Sequence, residues 1–271
     1  MKFVTDFTLA SRPLRVGRAG APPAPFVGLQ SDIWLDPSDL TTLFQDVAGT
    51  TPVTTAGQSV ALIRDKSGKG NHGLQAVVAR RPIYRVDGAG NGYLEGDGID
   101  DNIIGTMTVP FGPGWTICAA LRRGANTGMH SVLGVQSDGN INNYLRIRAD
   151  SSERLVLMTR VLDADIDRVT TTSANGSFPG TGTSIVSVFL RATPGNNEVR
   201  INGTLATALT TPSNWPASLA LGASIKMDVF GDFPASANQR FYGMMVFRRI
   251  LSAAETAATE AYLAARSGVT L

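Results

Sequence analysis

Short apolar or alternating runs recur along this chain from Ser31 to the C-terminus, and clusters of Gly, Asn, Asp and Pro separate them. This spacing is typical of an antiparallel β-sandwich. The predicted strands are 115–121, 131–135, 144–148, 154–160, 184–190, 198–201, 219–223 and 241–247. Within 144–148, alternation places Arg146 and Arg148 on one face and the apolar residues on the other, which indicates a half-exposed outer strand. The pattern predicts an all-β fold.

The segments between these runs are mostly polar and rich in glycine. Residues 163–183 and 191–197 are predicted loops, and Asn202-Gly203 favours a tight hairpin turn because it tolerates positive φ. Helical patterns occur only at Asp39–Val47 and Ser252–Arg266. The second begins with Ser-Ala-Ala-Glu, a capping-box sequence, and is expected to end at Gly268.

Composition limits the class of protein. In 271 residues, 43% are apolar and 17% are charged, which is enough apolar material for one sizeable core and too little charge for a disordered chain. The single cysteine, Cys118, lies in the apolar run 115–121 and is expected to be a core residue without a disulfide partner. With 20 Arg and 4 Lys scattered along the chain and a net charge of +2, nucleic acid is not an expected partner.

The first thirty residues differ from the rest. Arg12, Arg15 and Arg18 precede Gly-Ala-Pro-Pro-Ala-Pro, and this stretch has little apolar periodicity. Because proline fixes φ and lacks a backbone donor, residues 1–30 are predicted to form an extended arm. The arm is either a loose terminus or a segment that docks on a neighbouring subunit. The chain shows neither a signal peptide nor a membrane-spanning stretch, so synthesis in the cytoplasm and no membrane partner are expected.

Several strings, met in order, carry a resemblance to a known fold family. They are Trp34–Asp46, Asp65-Lys-Ser-Gly-Lys-Gly-Asn-His72, Tyr93–Asp101, the run 115–121, Ile201-Asn-Gly203, Leu221-Gly222, and Phe241–Arg249 running into the capped helix. Together they resemble the concanavalin A-like, or laminin G-like, jelly rolls found in bacteriophage and bacterial surface proteins. The resemblance covers residues 31–271 and implies two antiparallel sheets stacked as a jelly-roll sandwich, with a short C-terminal helix and an extended N-terminal arm. It implies no particular chemistry, because this architecture carries lectins, glycosidases and structural domains alike.

The acidic string Glu95-Gly-Asp-Gly-Ile-Asp-Asp101 allows three interpretations. It is similar to the E-x-D-x-x-E strand of one glycosidase branch of the fold, in which two carboxylates about 5 Å apart act together. The third acidic position is Asp100 instead of glutamate, and two glycines interrupt the strand, so a structural turn is favoured over catalysis. Alternatively, Asp97, Asp100 and Asp101 supply hard oxygen ligands for calcium, as relatives of this fold often do. No other cofactor is expected.

Other candidate sites are weaker. Gly68-Lys69-Gly70 lacks the spacing of a phosphate loop and is predicted to be a turn. The only histidines, His72 and His130, have no partner at zinc-ligand spacing. The aromatic residues Tyr84, Trp115, Tyr144 and Trp215 could stack on sugar rings, although aromatics at strand spacing are more often core residues.

These observations predict a non-enzymatic protein. The main hypothesis is a bacteriophage virion protein, as a capsid decoration, fibre or tail component, joined to other virion proteins by the arm of Arg12, Arg15 and Arg18 and assembled as a homo-oligomer. The alternative is a lectin-like module that binds cell-surface glycan. A glycoside hydrolase is the third hypothesis.

Overall fold

We describe the fold from a computed structural model. It describes residues 29–107, 114–124, 130–137, 140–160, 168–171, 178–191, 197–206, 225–230 and 239–271. The predicted arm with Arg12, Arg15 and Arg18 therefore lies almost wholly outside the described residues, as do the predicted strand 219–223 and Trp215.

The described residues form two antiparallel sheets. In chain order their strands are β1 (Ile33–Leu35), β2 (Leu43–Phe44), β3 (Leu62–Ile63), β4 (Gly73–Leu74), β5 (Ile83–Val86), β6 (Gly92–Glu95), β7 (Ile103–Met107), β8 (Gly114–Arg122), β9 (His130–Ser137), β10 (Asn140–Ala149), β11 (Leu155–Arg160), β12 (Arg168–Thr171), β13 (Ser184–Arg191), β14 (Glu198–Ile201), β15 (Thr204–Leu205), β16 (Ile225–Val229) and β17 (Arg240–Phe247). One sheet has the order β15-β14-β13-β8-β17-β6-β5, with β1 also pairing β17, and the other has the order β12-β11-β10-β9-β16-β7-β4-β3-β2. The predicted all-β jelly-roll sandwich is confirmed.

The main core lies between the two sheets. Ile117, Val186 and Met244 from the first sheet pack with Leu145 and Met227 from the second. Strand β8 is buried along almost its whole length, because its other face also packs against apolar residues. Cys118 is fully buried there as a free thiol, as expected, and burial raises its pKa to about 12.

Helix α1 (Ala253–Ser267) covers the outer face of the first sheet, where it contacts β17, β8 and β13. The predicted capping box is present, since Ser252 and Glu255 exchange side-chain and backbone hydrogen bonds. Gly268 ends the helix at φ 71°, a left-handed conformation that costs glycine little. Tyr262 and Leu263 lie on the inner side of the helix and are buried against the first sheet. No helix in these ranges is long and apolar enough to cross a membrane.

Other local predictions were confirmed in part. Asn202-Gly203 forms the hairpin turn between β14 and β15, with φ of 49° and 77°. The helix predicted at Asp39–Val47 is wrong: a single 3₁₀ turn at Leu40–Thr42, capped by Asp39, leads directly into β2. The apolar pair of β2 is held by β3, so tertiary pairing overrides the short helical pattern. The loop predicted at 163–183 contains β12, which pairs with β11.

The exposure predicted for Arg146 and Arg148 is wrong. Both are buried, at 8% and 9% exposed, on a strand that lies inside its sheet, between β9 and β11. The Arg146 guanidinium lies 4.0 Å from the ring centroid of Tyr144, and Arg148 Nη1 lies 3.4 Å from Met158 Sδ. Alternation identified the two faces of this strand correctly, but it could not show what covers the polar face.

Candidate functional site

The acidic string folds as a turn. Asp97 Oδ1 accepts hydrogen bonds from the backbone N–H of Ile99 (2.8 Å), Asp100 (3.3 Å) and Asp101 (3.4 Å). Glu95, at the end of β6, instead binds Arg85 Nε at 3.0 Å. We call residues Asp97–Asp101 the acidic turn. The Asp97 carboxylate closes this turn, so the string has a structural role, as the sequence favoured.

Asp101 is the unusual member of the acidic turn. It is only 5% exposed, and its carboxylate accepts the Asp97 N–H at 3.0 Å. Burial, with repulsion from Asp97 and Asp100, raises the pKa of Asp101 to about 6 despite that hydrogen bond. Asp100 is exposed and pairs with Arg80 Nε at 3.0 Å.

The three carboxylates of the acidic turn fit calcium in ligand type. One oxygen from each lies within 4.8 Å of the others, and carboxylate oxygen is the ligand that calcium prefers. Arg80 already neutralises part of this charge, and the turn's own N–H groups use the Asp97 oxygen. The calcium site of Asp97, Asp100 and Asp101 stays a prediction.

A second polar site begins in the loop from Asp65 to His72, which joins β3 to β4. The Asp65 carboxylate folds this loop by accepting the backbone N–H of Trp34 (2.8 Å), Ser67 (2.9 Å) and Asn71 (3.0 Å). His72 Nδ1 in turn accepts the Asp65 N–H at 3.0 Å. The predicted turn at Gly68-Lys69-Gly70 is confirmed, since both glycines have positive φ. The loop therefore presents Lys69 and Asn71 beside β1.

Strand pairing brings Asp32 and Arg248 to the same place. Asp32 immediately precedes β1 and Arg248 immediately follows β17, and these two strands pair with Ile33 opposite Val246. Asp32 Oδ1 accepts from Arg248 Nε (2.8 Å) and from Lys69 Nζ (2.7 Å), while Oδ2 accepts the Arg248 N–H (2.8 Å). Asp32 is 4% exposed; burial alone would raise its pKa, but the hydrogen bonds from Lys69 and Arg248 lower it.

An open pocket of about 350 Å³ lies over these residues. We call it the Arg248 pocket, and its lining consists of Asp32, Lys69, Gly70, Asn71, Thr106, Met107 and Arg248. The side chains of Lys69 and Arg248 are each 39% exposed, whereas Asp32 lies beneath them. Its size falls within the range of about 300–1,000 Å³ usual for small-ligand sites. The arrangement offers several hydrogen-bond donors and two cations to a ligand.

No motif in the sequence pointed to this pocket. Lys69 lies in a Gly-Lys-Gly string without phosphate-loop spacing, and no local pattern marks Asp32 or Arg248 as a binding residue. The available signal was the string from Asp65 to His72, whose polar residues hold the loop against β1. The aromatic candidates Tyr84, Trp115 and Tyr144 are all buried, which confirms the core interpretation for these three residues.

Comparison with solved structures supports the fold. A structure of botulinum neurotoxin type C, from work on its cell entry through two ganglioside molecules, is 14% identical, with 86% of this chain and 51% of that chain covered and a TM-score of 0.54. The binding domain of Paraclostridial mosquitocidal protein 1 is 13% identical, with 76% and 50% covered and a TM-score of 0.54. Trypanosoma rangeli sialidase in complex with the inhibitor DANA is 13% identical, with 83% and 36% covered and a TM-score of 0.50.

These likenesses define a class of fold, the two-sheet β-sandwich, and no more. This chain spans about half the length of the two toxin chains and about a third of the sialidase. No protein-family model and no curated protein matches the sequence. The concanavalin A-like assignment and the bacteriophage origin stay predictions, since none of the three proteins named above is a bacteriophage protein.

Proposed function

We propose that this chain is a binding module that recognises carbohydrate through the Arg248 pocket. The observation that carries the proposal is the open, preorganised set of donors at Lys69, Asn71 and Arg248. Both cations bind the buried Asp32 carboxylate, and the Asn71 amide donates to the Asp32 backbone carbonyl. Sugar-binding sites need polar groups fixed in position, because a flexible donor loses conformational entropy when it binds. Here the Asp32 carboxylate fixes both cations before any ligand arrives.

The chemistry of the pocket suits a hydroxylated ligand of about one or two sugar rings. Thr106 contributes an exposed position on β7, whereas the neighbouring Met107 is buried in the core. The acidic string gives no support to hydrolysis, because its Asp97 carboxylate closes a turn. The predicted absence of enzyme activity stays a prediction.

The comparisons support this proposal at the level of fold only. The same sandwich occurs in the binding domain of the mosquitocidal protein and in a neurotoxin whose cell entry involves gangliosides. A place on a virion, with the arm as its anchor, stays a separate prediction. A glycan-binding module would be compatible with host adhesion in such a protein.

A glycan array probed with the full chain tests the proposal. We expect reproducible binding to one glycan class, and weaker binding by the Lys69→Gln variant, which removes one donor from the pocket. The matched control is Arg249→Gln, since Arg249 pairs with Glu255 outside the pocket and carries the same charge. An array on which no glycan binds, followed by no calorimetric signal at millimolar sugar, would refute carbohydrate recognition.

A further inference from the structure

We infer that the Arg248 pocket selects sugars that carry an acidic group, a carboxylate or a sulfate ester, and that the terminal nitrogens of Arg248 bind this group. The inference rests on the proposed function and names the ligand class for the same site. It follows from the charge of the pocket, from the orientation of Arg248 and from the absence of aromatic side chains among the described lining residues.

The lining carries a net positive charge. Lys69 and Arg248 contribute two positive charges and Asp32 contributes one negative charge, while the remaining lining residues are uncharged. The negative charge is buried and each cation is 39% exposed, so a ligand meets the cations first. A site of this kind attracts an anion more strongly than a neutral sugar.

The hydrogen bonds of Arg248 leave its other edge available. Its backbone N–H and its Nε both bind the Asp32 carboxylate, at 2.8 Å each. Its Nη1 and Nη2 donate to no other residue in the described part of the chain. Terminal guanidinium nitrogens bind carboxylate and sulfate oxygens through paired, charge-assisted hydrogen bonds. Asp32 thus acts as a positioning residue that aligns the guanidinium for a second anion.

None of the described residues that line the pocket has an aromatic side chain. Neutral sugars commonly gain much of their binding energy from stacking on an aromatic face, which these residues do not offer. Hydrogen bonds that involve a charged group are about twice as strong as neutral ones. The described pocket is therefore better suited to an acidic sugar than to its neutral counterpart.

A purely structural role for the same ion pairs predicts a different outcome. In that case, Lys69 and Arg248 only hold the loop and the end of β17 against Asp32, and the protein would bind acidic and neutral sugars equally. Thermal unfolding measures how much the ion pairs stabilise the fold, and ligand titration measures how much they contribute to sugar affinity. The two roles can therefore be separated in the same variants.

The experiment uses matched sugar pairs and the full chain. Lactose is compared with lactose bearing sialic acid and with lactose bearing a sulfate ester, by calorimetry at low and at physiological salt. We expect the acidic sugars to bind at least about tenfold more tightly than lactose, with the advantage shrinking as salt screens the charges. The sialylated and sulfated arms show which acidic group the pocket prefers.

Three variants locate the effect. Arg248→Lys keeps the charge but not the paired nitrogens, and we expect a loss of about tenfold for the acidic sugar only. Thr106→Glu adds a negative charge to the exposed wall without touching the Asp32 pairs, so it stays informative if the arginine variant unfolds. Arg249→Gln, the control, should bind as the parent protein does.

The outcomes separate the two proposals. Equal binding of lactose and its acidic derivatives would overturn the acidic selectivity and leave carbohydrate recognition standing. No binding of any sugar would overturn both. Selective binding that survives Arg248→Lys and Thr106→Glu unchanged would show that the acidic group binds outside this pocket.

Discussion

Replacing Asp101 with asparagine tests the electrostatics of the acidic turn. Asp101 is buried, and its pKa is raised from 3.8 to about 6. Its folded pKa lies above its unfolded value, so the folded state binds the proton more tightly between about pH 4 and pH 6. The stability that this group contributes is present below pH 4 and is lost as the pH rises through about 6. At neutral pH the ionised carboxylate is a net cost.

The size of that cost follows from the shift. About two pKa units, at about 1.4 kcal/mol each, give an upper value of about 3 kcal/mol. Asparagine keeps an oxygen that can accept the Asp97 N–H, and its amide can donate to the neighbouring carboxylates. We expect Asp101→Asn to stabilise the protein by about 1–3 kcal/mol at pH 7.5, which corresponds to a few degrees in Tm.

Urea unfolding and thermal melting at pH 4 and pH 7.5 measure the effect. The difference between variant and parent should be near zero at pH 4 and should grow towards neutral pH. Glu198→Gln is the control, because this largely exposed carboxylate lies outside the acidic turn and its surface pair with Arg191 contributes little. A variant that is destabilised equally at both pH values would refute the reasoning, since the hydrogen bond would then outweigh the charge.

Three further predictions concern other carboxylates. The pKa values of Asp32 and Asp36 are lowered in the folded state despite burial. Their ionised carboxylates therefore stabilise the folded protein above their unfolded pKa, and this contribution is lost as the pH falls below about 4. A Tm that stays constant from pH 5 to pH 2.5 would contradict this. Glu260→Gln breaks the pair between the buried Glu260 carboxylate and the half-buried Arg200 (2.9 Å) and should cost about 2 kcal/mol in urea unfolding. The largely exposed Glu198→Gln should change stability by less than about 0.5 kcal/mol. Calcium should raise the Tm of the parent protein but not of a variant in which Asp97, Asp100 and Asp101 are all replaced by asparagine. A melting curve that a chelator leaves unchanged would count against bound calcium.

Local sequence patterns predicted much of the fold. The capped C-terminal helix and the Asn202-Gly203 turn depend on interactions between near neighbours in the chain, and both were confirmed. The strand at 115–121 was also confirmed from its apolar run, although its partners β13 and β17 are distant in the chain. The helix predicted from the short pattern at Asp39–Val47 was wrong, because the apolar residues Leu43 and Phe44 pair with β3 instead. Local preference decided the structure where no distant strand offered a better partner.

The Arg248 pocket could not be predicted in the same way. Asp32 and Arg248 are 216 residues apart, and only the pairing of β1 with β17 brings them together. Asp32 lies in none of the strings that carry the family resemblance, and Arg248 lies in the string Phe241–Arg249 without any pattern that marks it as a binding residue. The acidic turn shows the reverse case: its five consecutive residues reveal the cluster directly, while the burial of Asp101 depends on the surrounding sandwich.

The pairing of β1 with β17 also affects when the pocket can form during synthesis. A ribosome releases Asp32 and Lys69 early, but it adds Arg248 only after nearly all the other strands. Until β17 docks, the Asp32 carboxylate lacks one of its two cations, and the pocket lacks one wall. Ligand binding would therefore require a chain that extends through β17 to Arg248. A fragment that ends before residue 240 could keep much of the second sheet and still bind nothing.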